Sequence, residues 1–188
     1  HLKTRELECS LNFILVTGGS RSGKSTFAES IAKKCEEDVL YIATSIPFDD
    51  EMKTRVKKHR MQRPSYWHTL EAYKDFDIHL KNNENNKTTV LIDCITLMVS
   101  NLMLEENLDW ENVSEDEVIN IEKKIVNELE KLLGAIKENV ATLIMVTNEV
   151  GMGVIPANRL SRVFVDIAGR VNQKLSKEAN EVYFCVSG

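Results

Sequence analysis

Near its start the chain reads Gly18-Gly19-Ser20-Arg21-Ser22-Gly23-Lys24-Ser25, which matches the pattern G-x-x-x-x-G-K-[ST]. An apolar run from Phe13 to Val16 precedes it, and a segment compatible with a helix begins near Thr26. A strand, a glycine-rich loop and a helix in this order form a P-loop, whose backbone N–H groups and helix N-terminus hold phosphate. The sequence therefore predicts a nucleoside triphosphate site. Lys24 would contact the β- and γ-phosphates and the Ser25 hydroxyl would ligate Mg²⁺.

The composition of the 188 residues is that of one ordinary globular domain. Hydrophobic residues make up 43% of the chain, and the net charge of −5 argues against nucleic acid as the main partner. No apolar run approaches the roughly 20 residues that span a bilayer, and no basic-then-apolar leader opens the chain. The four cysteines are far apart and form no C-x-x-C pair, so we expect buried free thiols and a cytoplasmic location.

Five apolar runs rich in β-branched residues predict core strands. Their near-continuous apolarity is typical of parallel strands that are covered on both faces. Segments with helical periodicity alternate with them, most clearly over 114–138 and 158–178, and residues 66–70 add a short strand. We therefore predict a doubly wound α/β fold with a mostly parallel central sheet flanked by helices, which binds ligands beyond the carboxyl ends of its strands. The five runs are Phe13–Thr17, Val39–Thr44, Thr89–Asp93, Thr142–Thr147 and Val182–Val186.

Two segments at the predicted carboxyl edge of the sheet carry polar residues. The strand Val90–Asp93 ends in a carboxylate, as a Walker-B element does, and such an aspartate holds Mg²⁺ directly or through water. The segment Thr147–Gly153 leaves the fourth core strand through two glycines, so it is placed to contact a ligand that composition does not identify. No N-K-x-D motif follows the P-loop, and the one D-x-x-G match, Asp166–Gly169, lies within the predicted helix over 158–178, which disfavours a Ras-like GTPase.

The segment Asp49–Arg63 concentrates positive charge in an otherwise acidic protein. Three acids open it, six basic residues follow within eleven positions, and His59 lies among them. One interpretation is a solvated basic helix face with a partly buried, satisfied histidine. The other makes His59 a nucleophile toward phosphorus, since neighbouring cations keep an imidazole neutral and offset the charge that builds up on phosphate. His68 and His79 lack metal-ligand spacing, and we expect both to be surface or packing residues.

Seven motifs occur in order and without large gaps over about residues 13–188. They are G-G-S-R-S-G-K-S, Y-I-A-T-S, D-D-E-M-K-T-R-V-K-K-H-R-M-Q-R-P, W-H-T-L-E, L-I-D-C-I-T-L-M-V-S-N-L, V-T-N-E-V-G-M-G-V-I-P-A-N-R-L-S-R and D-I-A-G-R-V-N-Q-K-L. Together they resemble the bifunctional adenosylcobinamide kinase/adenosylcobinamide-phosphate guanylyltransferases of cobalamin biosynthesis. The resemblance implies a RecA-like P-loop NTPase fold, with 13–188 as a single catalytic domain and 1–12 as an N-terminal extension.

The resemblance also implies two reactions. A nucleoside triphosphate, ATP or GTP, first phosphorylates the aminopropanol hydroxyl of adenosylcobinamide. GMP then moves from GTP onto that phosphate, which releases pyrophosphate and gives adenosylcobinamide-GDP. Family members form a covalent GMP–histidine intermediate, and the matching histidine is His59, with Lys24 as the second catalytic residue. The family assembles as homotrimers, and Mg²⁺ would be held by Ser25 and Asp93. The implied nucleotide contacts are Gly18–Ser25, Ala43, Thr44, Ser45, Arg60, Met61, Gln62, Arg63, Glu71 and Asp93.

The residues alone leave two other functions open. The first is a plain P-loop small-molecule kinase, in which His59 is merely structural and no covalent adduct forms. The second is a non-catalytic nucleotide-binding module, which would bind GTP tightly without turning over adenosylcobinamide or its phosphate. The missing switch motifs disfavour the module.

Overall fold

Parallel strands form the centre of the protein. The computed structural model describes residues 11–35, 38–45, 63–81, 89–137 and 140–188. The strands are β1 (Asn12–Gly18), β2 (Val39–Ala43), β3 (His68–Glu71), β4 (Thr89–Asp93), β5 (Thr142–Asn148) and β6 (Glu181–Cys185). The helices of the described residues are α1 (Lys24–Lys34), α2 (Phe76–Lys81), α3 (Ile95–Glu105), α4 (Glu115–Lys137) and α5 (Arg159–Glu178). The six strands lie in the order β3-β2-β4-β5-β1-β6, and every neighbouring pair is parallel.

Each predicted strand is present, and the predicted α/β fold with a parallel sheet is confirmed. Strand β6 differs from the expected core strand because it lies at the edge of the sheet and pairs with β1 alone. Of its residues only Cys185 is buried, while Val182 and Phe184 are 49% and 54% exposed. Its apolar run resembles that of a central strand, but an edge strand has a neighbour on one side only.

The central strands bury both of their faces, because successive side chains on a strand point to opposite sides. On β1, Phe13 and Leu15 join the larger core cluster, which α3, α4 and α5 cover, whereas Ile14 and Val16 join a second cluster with α1. Helices therefore flank both faces of the sheet. In the part of the chain that the structure describes, no helix combines the length and apolarity that a bilayer crossing requires.

Both long helices begin where the periodicity predicts them, and each begins with a capping interaction. Ser114 and Glu117 form the capping box of α4: the Ser114 N–H donates to Glu117 Oε2 at 2.8 Å, and the Glu117 N–H donates to Ser114 Oγ at 3.3 Å. The Ser114 N–H and hydroxyl both donate to the Glu117 carboxylate, and these bonds hold its pKa below its usual value. At the start of α5, the Asn158 side chain accepts a 2.8 Å bond from the Ser161 N–H.

Candidate nucleotide and catalytic site

The loop between β1 and α1 folds back over its own backbone. The Ser22 N–H donates to the Gly19 carbonyl at 3.3 Å, and helix α1 begins at Lys24. The Lys24 side chain is buried, and its Nζ donates to the same Gly19 carbonyl at 3.1 Å. Ser25 is half-buried in the first turn of α1, while Ser20 and Arg21 are exposed. The ammonium group, the loop N–H groups and the N-terminus of α1 thus share one small region, which is the arrangement that holds phosphate.

Two glycines of this loop are required by its geometry. Gly23 precedes α1 in the left-handed conformation, with φ of +88°, which side-chain-bearing residues adopt only with strain. A Cβ at Gly18 would lie 2.6 Å from both Ser22 Oγ and the Cys185 carbonyl oxygen. The close approach of β6 and the tight turn at Gly23 therefore both depend on glycine.

The carboxylate of Asp93 ends β4 and is half-buried. Its Oδ2 accepts a 3.0 Å hydrogen bond from the Tyr41 hydroxyl, and the Arg63 guanidinium carbon lies 3.6 Å from the centre of the Tyr41 ring. Burial, reinforced by the negative charge of Asp93, raises the pKa of the Tyr41 hydroxyl far above its usual value. Tyr41 is therefore a neutral hydrogen-bond donor that links Asp93 to Arg63, the last residue of the predicted basic segment.

The pKa of the buried Cys94 thiol is shifted by burial and by nearby charges. Burial and the charge of Asp93 raise its pKa to about 11, while the hydrogen bond with Thr96 and the charge of Lys24 lower it. Lys24 follows the end of β1 and Asp93 ends β4, so the P-loop ammonium and the Asp93 carboxylate lie at the same edge of the parallel sheet.

Buried hydrogen bonds fasten the end of β2 to the end of β4. The Thr44 hydroxyl donates to the Cys94 carbonyl at 2.7 Å and accepts from the Cys94 N–H at 2.8 Å. The Asn101 amide donates to the Thr44 carbonyl at 2.7 Å. Thr44 is only 1% exposed, so the side chain of this predicted nucleotide contact is committed to holding two strands together.

A second set of hydrogen bonds holds the end of β5. The Asn148 amide donates to Thr96 Oγ1 at 2.6 Å, and the Asn172 amide donates to the Asn148 carbonyl at 3.0 Å. The next residue, Glu149, donates its N–H to the Gly18 carbonyl at 3.0 Å, at the start of the P-loop. Glu149 is thereby fixed beside the predicted phosphate site.

A cavity of about 330 Å³ opens at the carboxyl ends of β2 and β3. Four predicted nucleotide contacts line it: Ala43, Thr44, Ser45 and Glu71. Its wall continues through Tyr73, Lys74, Asp75 and His79, which no sequence motif marks as nucleotide contacts. His79 is exposed, as expected of a surface residue, but it also faces this cavity.

The described predicted contacts therefore form two groups on one edge of the sheet. The P-loop follows β1, the cavity lies beyond β2 and β3, and Asp93 ends β4 between them. Three strand spacings separate β1 from β2, which is about 14 Å at ~4.8 Å per spacing. The predicted nucleophile His59 and the predicted contacts Arg60, Met61 and Gln62 lie outside the described residues.

The donor set at this edge suits Mg²⁺. No group of three or more His, Cys, Asp or Glu side chains able to hold a metal occurs within the described ranges. Mg²⁺ commonly takes one or two protein oxygens and completes its shell with phosphates and water. The Asp93 carboxylate and the Ser25 hydroxyl fit an ion of that kind, which would neutralise phosphate charge when bound.

A P-loop with these features on an all-parallel sheet defines a nucleotide-binding α/β protein of the P-loop class. A solved structure described as "Structural and biochemical analysis of a prototypical ATPase from the type III secretion system of pathogenic bacteria" shares the fold, with a TM-score of 0.55 and 14% sequence identity. The match covers 92% of this chain and 51% of that one.

The sequence comparisons identify the family. The family model described as "Cobinamide kinase / cobinamide phosphate guanyltransferase" matches residues 14–188, so the chain belongs to this family. The "Bifunctional adenosylcobalamin biosynthesis protein CobU" of Escherichia coli strain K12 is 45% identical over 180 residues, which cover 93% of this chain and 96% of that protein. Its namesake from Salmonella typhimurium is 45% identical over 176 residues, with coverage of 93% and 96%. The related CobP of Pseudomonas aeruginosa is 36% identical over 174 residues, with coverage of 93% and 92%.

The geometry of Gly23 predicts a loss of nucleotide affinity when a side chain is added. Gly23→Ala would force alanine into the left-handed region, at a cost of about 1–2 kcal/mol, and its Cβ would meet Gly188 Cα at 2.9 Å. We expect the affinity for GTP, measured by titration calorimetry, to fall by about 10-fold. Gly134→Ala is the matched control, because no heavy atom lies within 4 Å of a Cβ there. Wild-type affinity in Gly23→Ala would contradict the assigned loop geometry.

Proposed function

We propose that this member of the cobinamide kinase/guanylyltransferase family runs both of its reactions on one triphosphate site. The family's two activities are phosphorylation of adenosylcobinamide and transfer of GMP onto the resulting phosphate. The observation that carries the proposal is the order of groups along one sheet edge: the P-loop, then Asp93, then the cavity at β2 and β3.

One GTP molecule could extend along the sheet edge from the P-loop, past Asp93, to the cavity. Its β- and γ-phosphates would lie on the P-loop, where Lys24 and the loop N–H groups point, and its guanosine would extend toward the cavity. The separation of about 14 Å between β1 and β2 supports this, because an extended nucleoside triphosphate is of comparable length. Asp93 and Arg63 would then flank the α-phosphate, the position of attack in GMP transfer.

His59 is the proposed nucleophile for that transfer. An imidazole nitrogen would attack the α-phosphorus of GTP, the bond to the bridging oxygen would break, and pyrophosphate would leave. An oxygen of adenosylcobinamide phosphate would then attack the histidine-bound phosphorus and free the imidazole. Arg63 follows His59 by four positions, so their Cα atoms are at most about 14 Å apart. This supports the role, because the Arg63 guanidinium stacks on the Tyr41 ring, whose hydroxyl donates to Asp93.

The covalent intermediate predicts a specific label. Incubation of the wild-type protein with GTP labelled in the α-phosphate should leave one acid-labile, base-stable label, and His59→Ala should carry none. His68→Ala is the matched control, because His68 is exposed on β3, and it should label like the wild type. An unlabelled wild type, or a fully labelled His59→Ala, would rule out the covalent route and leave a plain kinase.

The single site predicts that Lys24 serves both reactions. Lys24→Ala removes a charge-assisted contact worth about 1.5–3 kcal/mol, so both rates should drop at least ~10-fold. Asp93→Asn should act likewise through Mg²⁺, with partial rescue by added Mg²⁺. Lys34→Ala, at the exposed end of the same helix, should leave both rates unchanged. Phosphorylation lost with GMP transfer intact in Lys24→Ala would instead require a second GTP site.

A homotrimer is the proposed assembly, and the cytoplasmic location remains a prediction. The exposed apolar side chains of the edge strand β6 support association, because large exposed apolar patches commonly mark interfaces. Light scattering should give about three times the chain mass of 21.4 kDa. A monomer mass at working concentration would refute the trimer.

A further inference from the structure

We propose that Glu149 is the general base of the kinase reaction, which rests on the proposed use of the P-loop for the phosphoryl donor. Glu149 would take the proton of the acceptor hydroxyl as its oxygen attacks the γ-phosphorus. The bond between the γ-phosphorus and the β–γ bridging oxygen breaks, the nucleoside diphosphate leaves with the electron pair, and the proton passes from the carboxyl to solvent.

The position of Glu149 carries the proposal. Strand β5 lies between β4, which ends in Asp93, and β1, which leads into the P-loop. Asn148 is level with Gly18 in the β5–β1 pairing, and the Glu149 N–H donates to the Gly18 carbonyl at 3.0 Å. Glu149 therefore follows the strand end that separates the proposed Mg²⁺ ligand from the phosphate loop.

The carboxylate is also oriented. Its Oε1 accepts a 2.6 Å hydrogen bond from the Gly151 N–H, two residues along the chain. Among the described residues no donor contacts the other oxygen, Oε2, which can accept a proton. A Cβ at Gly151 would lie 3.1 Å from Oε1, so the carboxylate would have to move by a few tenths of an ångström to make room for it.

The other carboxylates near this edge are less suited to the task. Asp93 already accepts the Tyr41 hydroxyl and is the proposed Mg²⁺ ligand. Glu71 ends β3, three strand positions past β5 in the order of the sheet and on the cavity side. Glu149 is therefore better placed than Asp93 or Glu71 for an acceptor that approaches the P-loop.

The chemistry of the two reactions gives the proposal a sharp consequence. A hydroxyl must lose its proton to attack phosphorus, so phosphorylation needs a base. GMP transfer does not, because its nucleophiles are an imidazole lone pair and a phosphate oxygen that is already ionised. Loss of Glu149 should therefore separate the two activities of the enzyme, whereas general damage to the nucleotide site should impair both.

The experiment compares Glu149→Gln with the wild type in two assays. Glu149→Gln should lower kcat for phosphorylation of adenosylcobinamide by about 100-fold or more. With adenosylcobinamide phosphate as the acceptor, the rate of pyrophosphate release from GTP should stay within about two-fold of the wild-type rate, because Glu149 takes no part in GMP transfer.

Glycine variants test the positioning independently. Gly151→Ala should lower phosphorylation selectively, because its Cβ displaces the Glu149 carboxylate. Gly134→Ala should not, since Gly134 lies on α4 and no heavy atom lies within 4 Å of a Cβ there. Equal loss of both reactions in Glu149→Gln, or unchanged phosphorylation, would overturn the proposal. If Glu149→Gln does not fold, the Gly151→Ala and Gly134→Ala pair decides. Failure of the covalent route would appear separately, as a wild type that releases pyrophosphate without becoming labelled.

Discussion

Buried hydrogen bonds between side chains and strand ends fix the carboxyl edge of this sheet. Backbone ladders align parallel strands along their length, but they end where the strands end, and the loops beyond must be held by other means. Here Thr44 connects the end of β2 to Cys94, and Asn148 connects the end of β5 to Thr96. Because these groups are buried or half-buried and bonded to one another, breaking one would leave its partner unsatisfied, which costs about 1–3 kcal/mol.

The same network sets the electrostatics of the site. It keeps Asp93 beside the Tyr41 hydroxyl, whose raised pKa ensures that it donates a hydrogen bond at any physiological pH and adds no second negative charge. Lys24 lies close enough to lower the pKa of the Cys94 thiol, while Asp93 raises it. Lys24 and Asp93 therefore hold a cation and an anion in fixed places at this edge, and the nearby Cys94 thiol is neutral at pH 7, as its pKa of about 11 requires.

Much of this arrangement could be predicted from the sequence, because it follows from local patterns. The P-loop, the strand that ends in Asp93 and the capping box at Ser114 each occupy a few consecutive residues, and the structure confirms each as a local structure. Strand order could not be predicted in this way, since periodicity does not state which strands are neighbours. That is why the sequence predicts β6 as a core strand and assigns no specific role to Glu149. Its meaning depends on β5 lying between β1 and β4.

The strand order also explains how one edge can serve two different phosphorus atoms. If all of these groups came from one stretch of sequence, they would lie in a single loop. The strand order β3-β2-β4-β5-β1 instead places the groups at the ends of different strands, along a line. In the proposed single-site arrangement, a nucleotide that lies along this line would present its γ-phosphorus near β1 and β5 and its α-phosphorus nearer β4 and β2. The hydroxyl acceptor would then meet the Glu149 carboxylate at one end, and the phosphate acceptor would meet the Arg63 guanidinium, which stacks on Tyr41, toward the other. The acceptor carries a proton in phosphorylation and none in GMP transfer. The proposed arrangement matches this difference, with a carboxylate at the end where a proton must be removed and a guanidinium toward the end where an anionic acceptor arrives.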